Sequence, residues 1–176
     1  MKISQSRART STPRRAQEAV ILFSAGGAMF AIGARAVEEI RETTGLKRFA
    51  SFAFQDRFAK VKHTLERQGK TIFVVDACTH FRVREMQPAR VMVLRHAPAA
   101  LAVESIDGMK EIYAIHRLPV AFTGEERNWY RGLTLIEGRI VPVVRPEALL
   151  SKTETALLTA ASPLEAQERK FVVAAR

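Results

Sequence analysis

Cys78 and His80 stand two residues apart. In a β-strand that spacing would turn thiol and imidazole to one face, where the base could activate the nucleophile. No catalytic motif accompanies the pair, so Cys78 reads as a small buried hydrophobe. The four histidines, His63, His80, His96 and His116, show neither HxH nor HExxH spacing, and the single cysteine has no CxxC partner; no metal is expected. Asp107-Gly108 and Gly26-Gly27 lack the GxGxxG or GxxxxGK context of a phosphate-cradling loop and read as turns, so no cofactor is expected either. Trp129-Tyr130-Arg131 interleaves aromatic and basic groups as a platform for stacked single strands would, but one such cluster is better explained by packing. Adjacent acids such as Glu38-Glu39 and Glu125-Glu126 are expected to diverge and solvate a surface rather than share a proton. What remains is a protein without enzymatic activity whose default function is binding.

The elements that position these residues are announced by a pattern that occurs twice. Gly69-Lys70-Thr71-Ile72-Phe73-Val74-Val75-Asp76 and Gly138-Arg139-Ile140-Val141-Pro142-Val143-Val144-Arg145 share a turn glycine, a basic residue, a run of apolar or β-branched residues and a closing charge. Each copy reads as the second arm of a β-hairpin, the first arms being Val61 onward and Tyr130 to Ile136. Two such hairpins imply two similar β-subdomains. A third hairpin opens the chain, with Ala19 to Phe23 and Ala28 to Ile32 around a Ser24–Gly27 turn. From Ala34 to Glu42 the spacing of Ala36, Val37 and Ile40 predicts a short helix. Phe54 to Lys60 reads as irregular or helical; Arg90 to Arg95, Ala99 to Glu104 and Lys110 to Ala114 read as short strands, and Pro146 to Leu150 as a helical turn. Ser162-Pro163-Leu164-Glu165 carries an N-cap, a first-turn proline and a capping-box acid, which predicts a last helix from Pro163.

With 176 residues, 47% of them apolar, the chain can bury one sizeable core or two small adjoining ones. Its net charge of +10 first suggests nucleic acid or an anionic membrane. Half of that excess sits in the first sixteen residues, where Lys2, Arg7, Arg9, Arg14 and Arg15 meet no acid, so residues 1–16 read as a disordered basic tail and the body as only mildly basic. No apolar segment follows the tail at the right distance and without interruption, as a secretory signal requires. The apolar stretch Ala19–Ala34, interrupted by Gly26-Gly27, falls short of the roughly 20 residues that span a bilayer. No membrane insertion is expected, and the lone cysteine fits a reducing cytoplasm.

From about Ala19 to Leu150 the residues resemble the CheW-like family of chemotaxis adaptors. Phe30-Ala31-Ile32-Gly33-Ala34-Arg35-Ala36-Val37-Glu38-Glu39-Ile40 looks like the family's strand running into a Val-x-Glu-Ile/Val helix, and Gly69 to Asp76 like its Arg-Gly-x-x-x-Pro-Val-x-Asp strand. Val103-Glu104-Ser105-Ile106 resembles the Val-Asp-x-Val stretch, and Tyr130 to Leu150 the closing hairpin and Leu-Leu helix. Departures lie in the first half. Gln68 stands where the family's turn arginine belongs, Arg67 is displaced by one, and Phe73 replaces a proline that Pro142 keeps in the second copy.

The resemblance implies a mainly β fold of two SH3-like five-stranded β-barrels with short helices, carried by residues 17–150, with 151–176 as a C-terminal helical extension. It implies a scaffold that couples the cytoplasmic tips of chemoreceptors to the regulatory domain of a chemotaxis histidine kinase. By resemblance, Val37, Ile40, Arg67 and Gln68 belong to the receptor-facing groove, as apolar anchors rimmed by charge. The alternative left open is a small basic β-barrel that binds nucleic acid through its tail; with the body's charges mixed in sign, nucleic acid is the weaker partner.

Overall fold

The computed structural model describes residues 17–49 and 58–162. The basic tail, residues 54–57 of the Phe54–Lys60 segment and the helix expected from Pro163 lie outside them. The fold is mainly β, with eleven strands among the described residues: β1 (Glu18–Ala25), β2 (Ala28–Gly33), β3 (Val37–Glu42), β4 (Lys47–Arg48), β5 (Val61–Arg67), β6 (Lys70–Asp76), β7 (Arg90–Leu94), β8 (Ala99–Val103), β9 (Ser105–Ile112), β10 (Tyr130–Ile136) and β11 (Arg139–Val144). Short helices α1 (Ala77–Phe81) and α2 (Glu126–Trp129) and a longer helix α3 over 152–162 complete it.

These strands form two sheets, ordered β10-β11-β2-β1-β9 and β3-β7-β8-β6-β5-β4. Setting β4 aside, the two have the same connectivity: a hairpin (β10–β11, β5–β6) lies parallel to the inner strand of another antiparallel pair (β2–β1, β8–β7), and an edge strand (β9, β3) closes the row. The register repeats from one sheet to the other. Glu66 pairs with Thr71 as Leu135 pairs with Ile140; Val74 pairs with Ala100 as Val143 pairs with Ala31; the bulges after Val61 and Val37 recur after Tyr130 and at Ile106–Gly108. These equivalent positions are 69 residues apart, as Gly69 and Gly138 are, whereas β1 and β7 correspond at 71, Leu22 pairing with Ala31 as Val93 pairs with Ala100. The repeats exchange strands: β1 and β2 sit with β9–β11, and β7 and β8 with β3, β5 and β6. Neither sheet can therefore form from one repeat alone.

Burial follows from this arrangement. Val20, Leu22, Ala31, Val141 and Val143 point into a small core of the first sheet, and their counterparts Val91, Val93, Ala100, Ile72 and Val74 into that of the second. The alternate residues, among them Ile21, Phe23, Ile32, Met92, Leu101, Val75 and Val144, pack between the sheets in a shared core. Both faces of the central strands are thus covered, which is why β1, β6 and β8 read as nearly continuous apolar runs. Phe30, Phe81 and Tyr130 stack through the shared core, with Phe30 and Phe81 centroids 4.6 Å apart.

The three expected hairpins are present. Two turn on Gln68-Gly69 and Glu137-Gly138, and the first on Gly26-Gly27, each with two successive positive φ values as a tight primed turn requires. Gly26 could not be replaced even on steric grounds, because a Cβ there would lie 2.5 Å from the carbonyl oxygen of Arg84. Other expectations are corrected. The helix expected over Ala34–Glu42 is a single 3-10 turn, Ala34–Ala36, followed by strand β3; β7 needs an edge partner, and the pairing of Ile40 with Met92 and Glu42 with Arg90 overrides the helical spacing. Asp107-Gly108 is no turn: it lies inside β9, which starts at Ser105 and not at Lys110, and there it forms the bulge opposite Leu22 and Phe23. Cys78 and His80 lie on helix α1 rather than a strand. The expected pair of five-stranded barrels is a five-stranded and a six-stranded sheet. Neither closes into a barrel among the described residues, because the edge strands meet through side chains and one isolated bridge, His116 with Leu133, instead of a backbone ladder.

Candidate docking faces

The bulge in β3 decides how the sequence-predicted residues are presented. Val37 precedes it and points into the shared core, 7% exposed. The exposed positions of β3 are Glu38, within the bulge, and Ile40 and Glu42 beyond it, with Ile40 at 41% exposure. Val37 and Ile40 lie opposite Leu94 and Met92, both of the shared core, so the bulge leaves the two on one face; Val37 is buried there, and Ile40 is the one of the pair available to a partner. Gln68 is exposed at the first corner of the β5–β6 turn, with φ +50.

Arg67, the last residue of β5, reaches across the open edge of the sheet to β3. Its guanidinium donates to Glu38 Oε1 at 3.0 Å and stands 3.4 Å from Glu39 Oε2. These two acids, expected to diverge, instead converge on one cation, because the bulge between Val37 and Glu39 breaks the strict alternation of the strand. The hydrogen bond from Arg67 holds the Glu38 carboxyl below the usual glutamate range, against a smaller opposing effect of burial, and the same bond raises Arg67. Beside this clasp, Lys47 on β4 pairs with Glu66 at 2.8 Å. The structure thus brings Ile40, Arg67 and Gln68 to one end of the second sheet and leaves Val37 behind them in the core.

The equivalent end of the first sheet carries a clasp of reversed layout: the hairpin supplies the acid, Glu137, and the edge strand the base, Lys110, at 2.8 Å. Between β9 and β10 a cleft of ≈ 360 Å³ opens, lined among others by Lys110, Tyr113, Leu135 and Glu137. Leu135 and Ile140, paired across the hairpin, are 65% and 72% exposed, and Met109, the counterpart of Ile40, is 65% exposed. In the second sheet the positions of Leu135 and Ile140 are held by Glu66 and Thr71. The backbone does not require aliphatic side chains at this tip, and laying the two repeats over one another at the 69-residue offset would have exposed the contrast.

The residues with chemical potential are used structurally. Asp76 caps α1, accepting from both the backbone N–H and the hydroxyl of Thr79 at 2.8 Å, and stands 3.4 Å from Lys62. Burial pushes the Cys78 thiol up and the His80 imidazole down to about 4. Trp129 packs on His80 and beneath the Arg82 guanidinium, Tyr130 is buried, and Arg131 forks onto Glu18. No group of three His, Cys, Asp or Glu side chains that could hold a metal ion occurs among the described residues, and none of their helices is long and apolar enough to cross a membrane.

A family model for the CheW-like domain matches residues 19–154. The chain belongs to the CheW-like domain family. This is a family of chemotaxis scaffolds and adaptors, and the match spans both sheets and ends in the first turn of α3. Among solved structures, the CheW-like chain is similar to the scaffolding protein TtCheW from Thermoanaerobacter tengcongensis, with a TM-score of 0.66, 14% identity, and coverage of 77% of this chain and 94% of that one. At that identity the likeness speaks for the fold. No curated protein matches the sequence.

Proposed function

We propose that this CheW-like protein is a cytoplasmic, non-enzymatic adaptor that couples the cytoplasmic tips of chemoreceptors to the regulatory domain of a chemotaxis histidine kinase. Each sheet acts as a half-open SH3-like barrel, and residues 17–150 carry the coupling. The observation that carries this reading is the family match across both sheets, joined to two exposed ends that offer aliphatic side chains beside clasped charges. Such an end suits a protein partner, since burial of Ile40 or Leu135 supplies affinity while Arg67, Glu38, Lys110 and Glu137 set orientation and exclude wrong partners. Ile40, Arg67 and Gln68 form the receptor-facing contact, with Val37 as the floor that holds β3 in place. The test is capture of a purified receptor cytoplasmic fragment by the wild-type chain and by Ile40→Asp and Arg67→Glu variants. A loss of at least tenfold in affinity in both, with thermal melting within a few degrees of wild type, is expected. Wild-type capture by both folded variants refutes this assignment.

A further inference from the structure

The aliphatic tip of the first sheet stands beside the point where the chain leaves the described residues. Leu135 and Ile140 are paired across the β10–β11 hairpin and exposed, and Tyr113, also exposed, lines the β9–β10 cleft together with Leu135. Gln17 precedes β1, and its side-chain amide donates to the Glu111 carboxylate and, at 2.9 Å, to the Tyr113 hydroxyl oxygen. The Thr134 hydroxyl donates to the Ala114 carbonyl at 2.9 Å, which sets β10 beside that same stretch. Residues 1–16 are thus tethered at the mouth of the cleft. Arg14-Arg15-Ala16 come directly before Gln17 and close a segment with five cations and no acid.

The charges at the mouth suit such a segment. Lys110 pairs with Glu137 across the cleft at 2.8 Å, with Arg139 acting on the same carboxylate, and Arg131 is taken by Glu18. Glu111 is left without a cation among the described residues, its described partner being the neutral Gln17 amide. An arginine can lay its methylene stem on exposed aliphatics while the guanidinium meets a carboxylate or the face of a tyrosine. Reach is ample: sixteen residues extend about 50 Å at roughly 3.3 Å each, and neighbouring paired strands lie only about 5 Å apart. Tethering also makes weak contacts sufficient, because a segment held at one end acts at roughly millimolar effective concentration.

We propose that residues 1–16 fold back over the β9–β10 cleft as an intramolecular cover, with Arg14 and Arg15 engaging Glu111 and Tyr113 and the preceding residues lying across Leu135 and Ile140. A partner then reaches this end of the first sheet only by displacing the tail. The contact is internal to the chain and stands whatever partner the sheet ends receive.

The experiment is NMR of the full chain with a neutral, soluble gadolinium chelate, in wild type, in the double variant Arg14→Glu/Arg15→Glu and in Glu111→Lys. The Leu135 and Ile140 methyls of wild type are expected to relax at least twofold more slowly than those of either variant, and to approach them at high salt, where exposed charges are screened. The methyls of Val120, exposed and outside the cleft lining, are the internal control and should relax equally in all three. Equal relaxation of Leu135 and Ile140 in wild type and either variant overturns the cover. Wild-type protection that is lost on tenfold dilution assigns the patch to a second copy of the chain and overturns it as well.

Discussion

The placement of Val37 and Ile40 separates core from contact, and one substitution at each position tests it. In Val37→Asp the lost burial of the valine, 7% exposed, amounts to roughly 1.5–3 kcal/mol. The new carboxylate has apolar neighbours in the shared core, and holding it neutral at pH 7 costs about 1.4 kcal/mol for each unit above its ordinary value of about 3.9. About three such units and the lost burial together make about 6–7 kcal/mol, a large part of the roughly 5–15 kcal/mol that holds a domain folded. In a chain of this size that lowers Tm by about 12–28 °C. Ile40→Asp gives up only the buried part of a side chain that is 41% exposed, about 1 kcal/mol and a few degrees. Urea unfolding followed by circular dichroism measures both. If Val37→Asp stays within 1 kcal/mol of wild type, or Ile40→Asp loses as much as Val37→Asp, the burial of Val37 in the core beside an exposed Ile40 is refuted.

The Glu38–Arg67 clasp makes a pH-dependent contribution: because the folded carboxyl lies below its ordinary value, this stabilisation is full above about pH 4.5 and is lost as the pH falls through the folded pKa. NMR titration should find Glu38 below the ordinary glutamate value in wild type and returned to it in Arg67→Gln. Gly132→Ala would press a Cβ onto the His116 carbonyl that bridges to Leu133; a loss of about 1–3 kcal/mol by urea unfolding is expected, with increased exchange at the Leu133 amide. Ser151→Ala removes the acceptor of the Glu154 amide and should lower helicity over 152–162, at about 1 kcal/mol of local stability by hydrogen exchange.

The strongest sequence signals were those that act over a few residues. The paired turn glycines located two hairpins, and β10 and β11 occupy the expected Tyr130–Ile136 and Arg139–Val144. The same local logic holds for α3, where Ser151 and Glu154 form a capping box, and for α1, where Asp76 bonds to Thr79. β3 was hidden for a different reason. Val37 and Ile40 fit a helical stripe equally well, and only the need of β7 for an edge partner, set by residues some fifty positions away, makes them a strand. The site shows the same division. Arg67 and Gln68 stood out by their departure from the family's turn, but the role of Arg67 as a clasp depends on how far the sheet curls to bring β5 near β3, which no local pattern encodes. Leu135 and Ile140 do not stand out in the sequence, because exposed aliphatics in a hairpin look like core until the matching Glu66 and Thr71 are set beside them.

The account rests on the two sheet ends acting as docking surfaces, and the most direct measurement is affinity capture from the native cell with the full chain as bait, identifying every captured species by mass spectrometry and assaying the eluate for DNA and RNA. Recovery of a histidine kinase together with chemoreceptors, both reduced in Ile40→Asp and Arg67→Glu, is the predicted result. Recovery of nucleic acid that disappears at high salt or on removal of residues 1–16, with neither kinase nor receptor present, would contradict it.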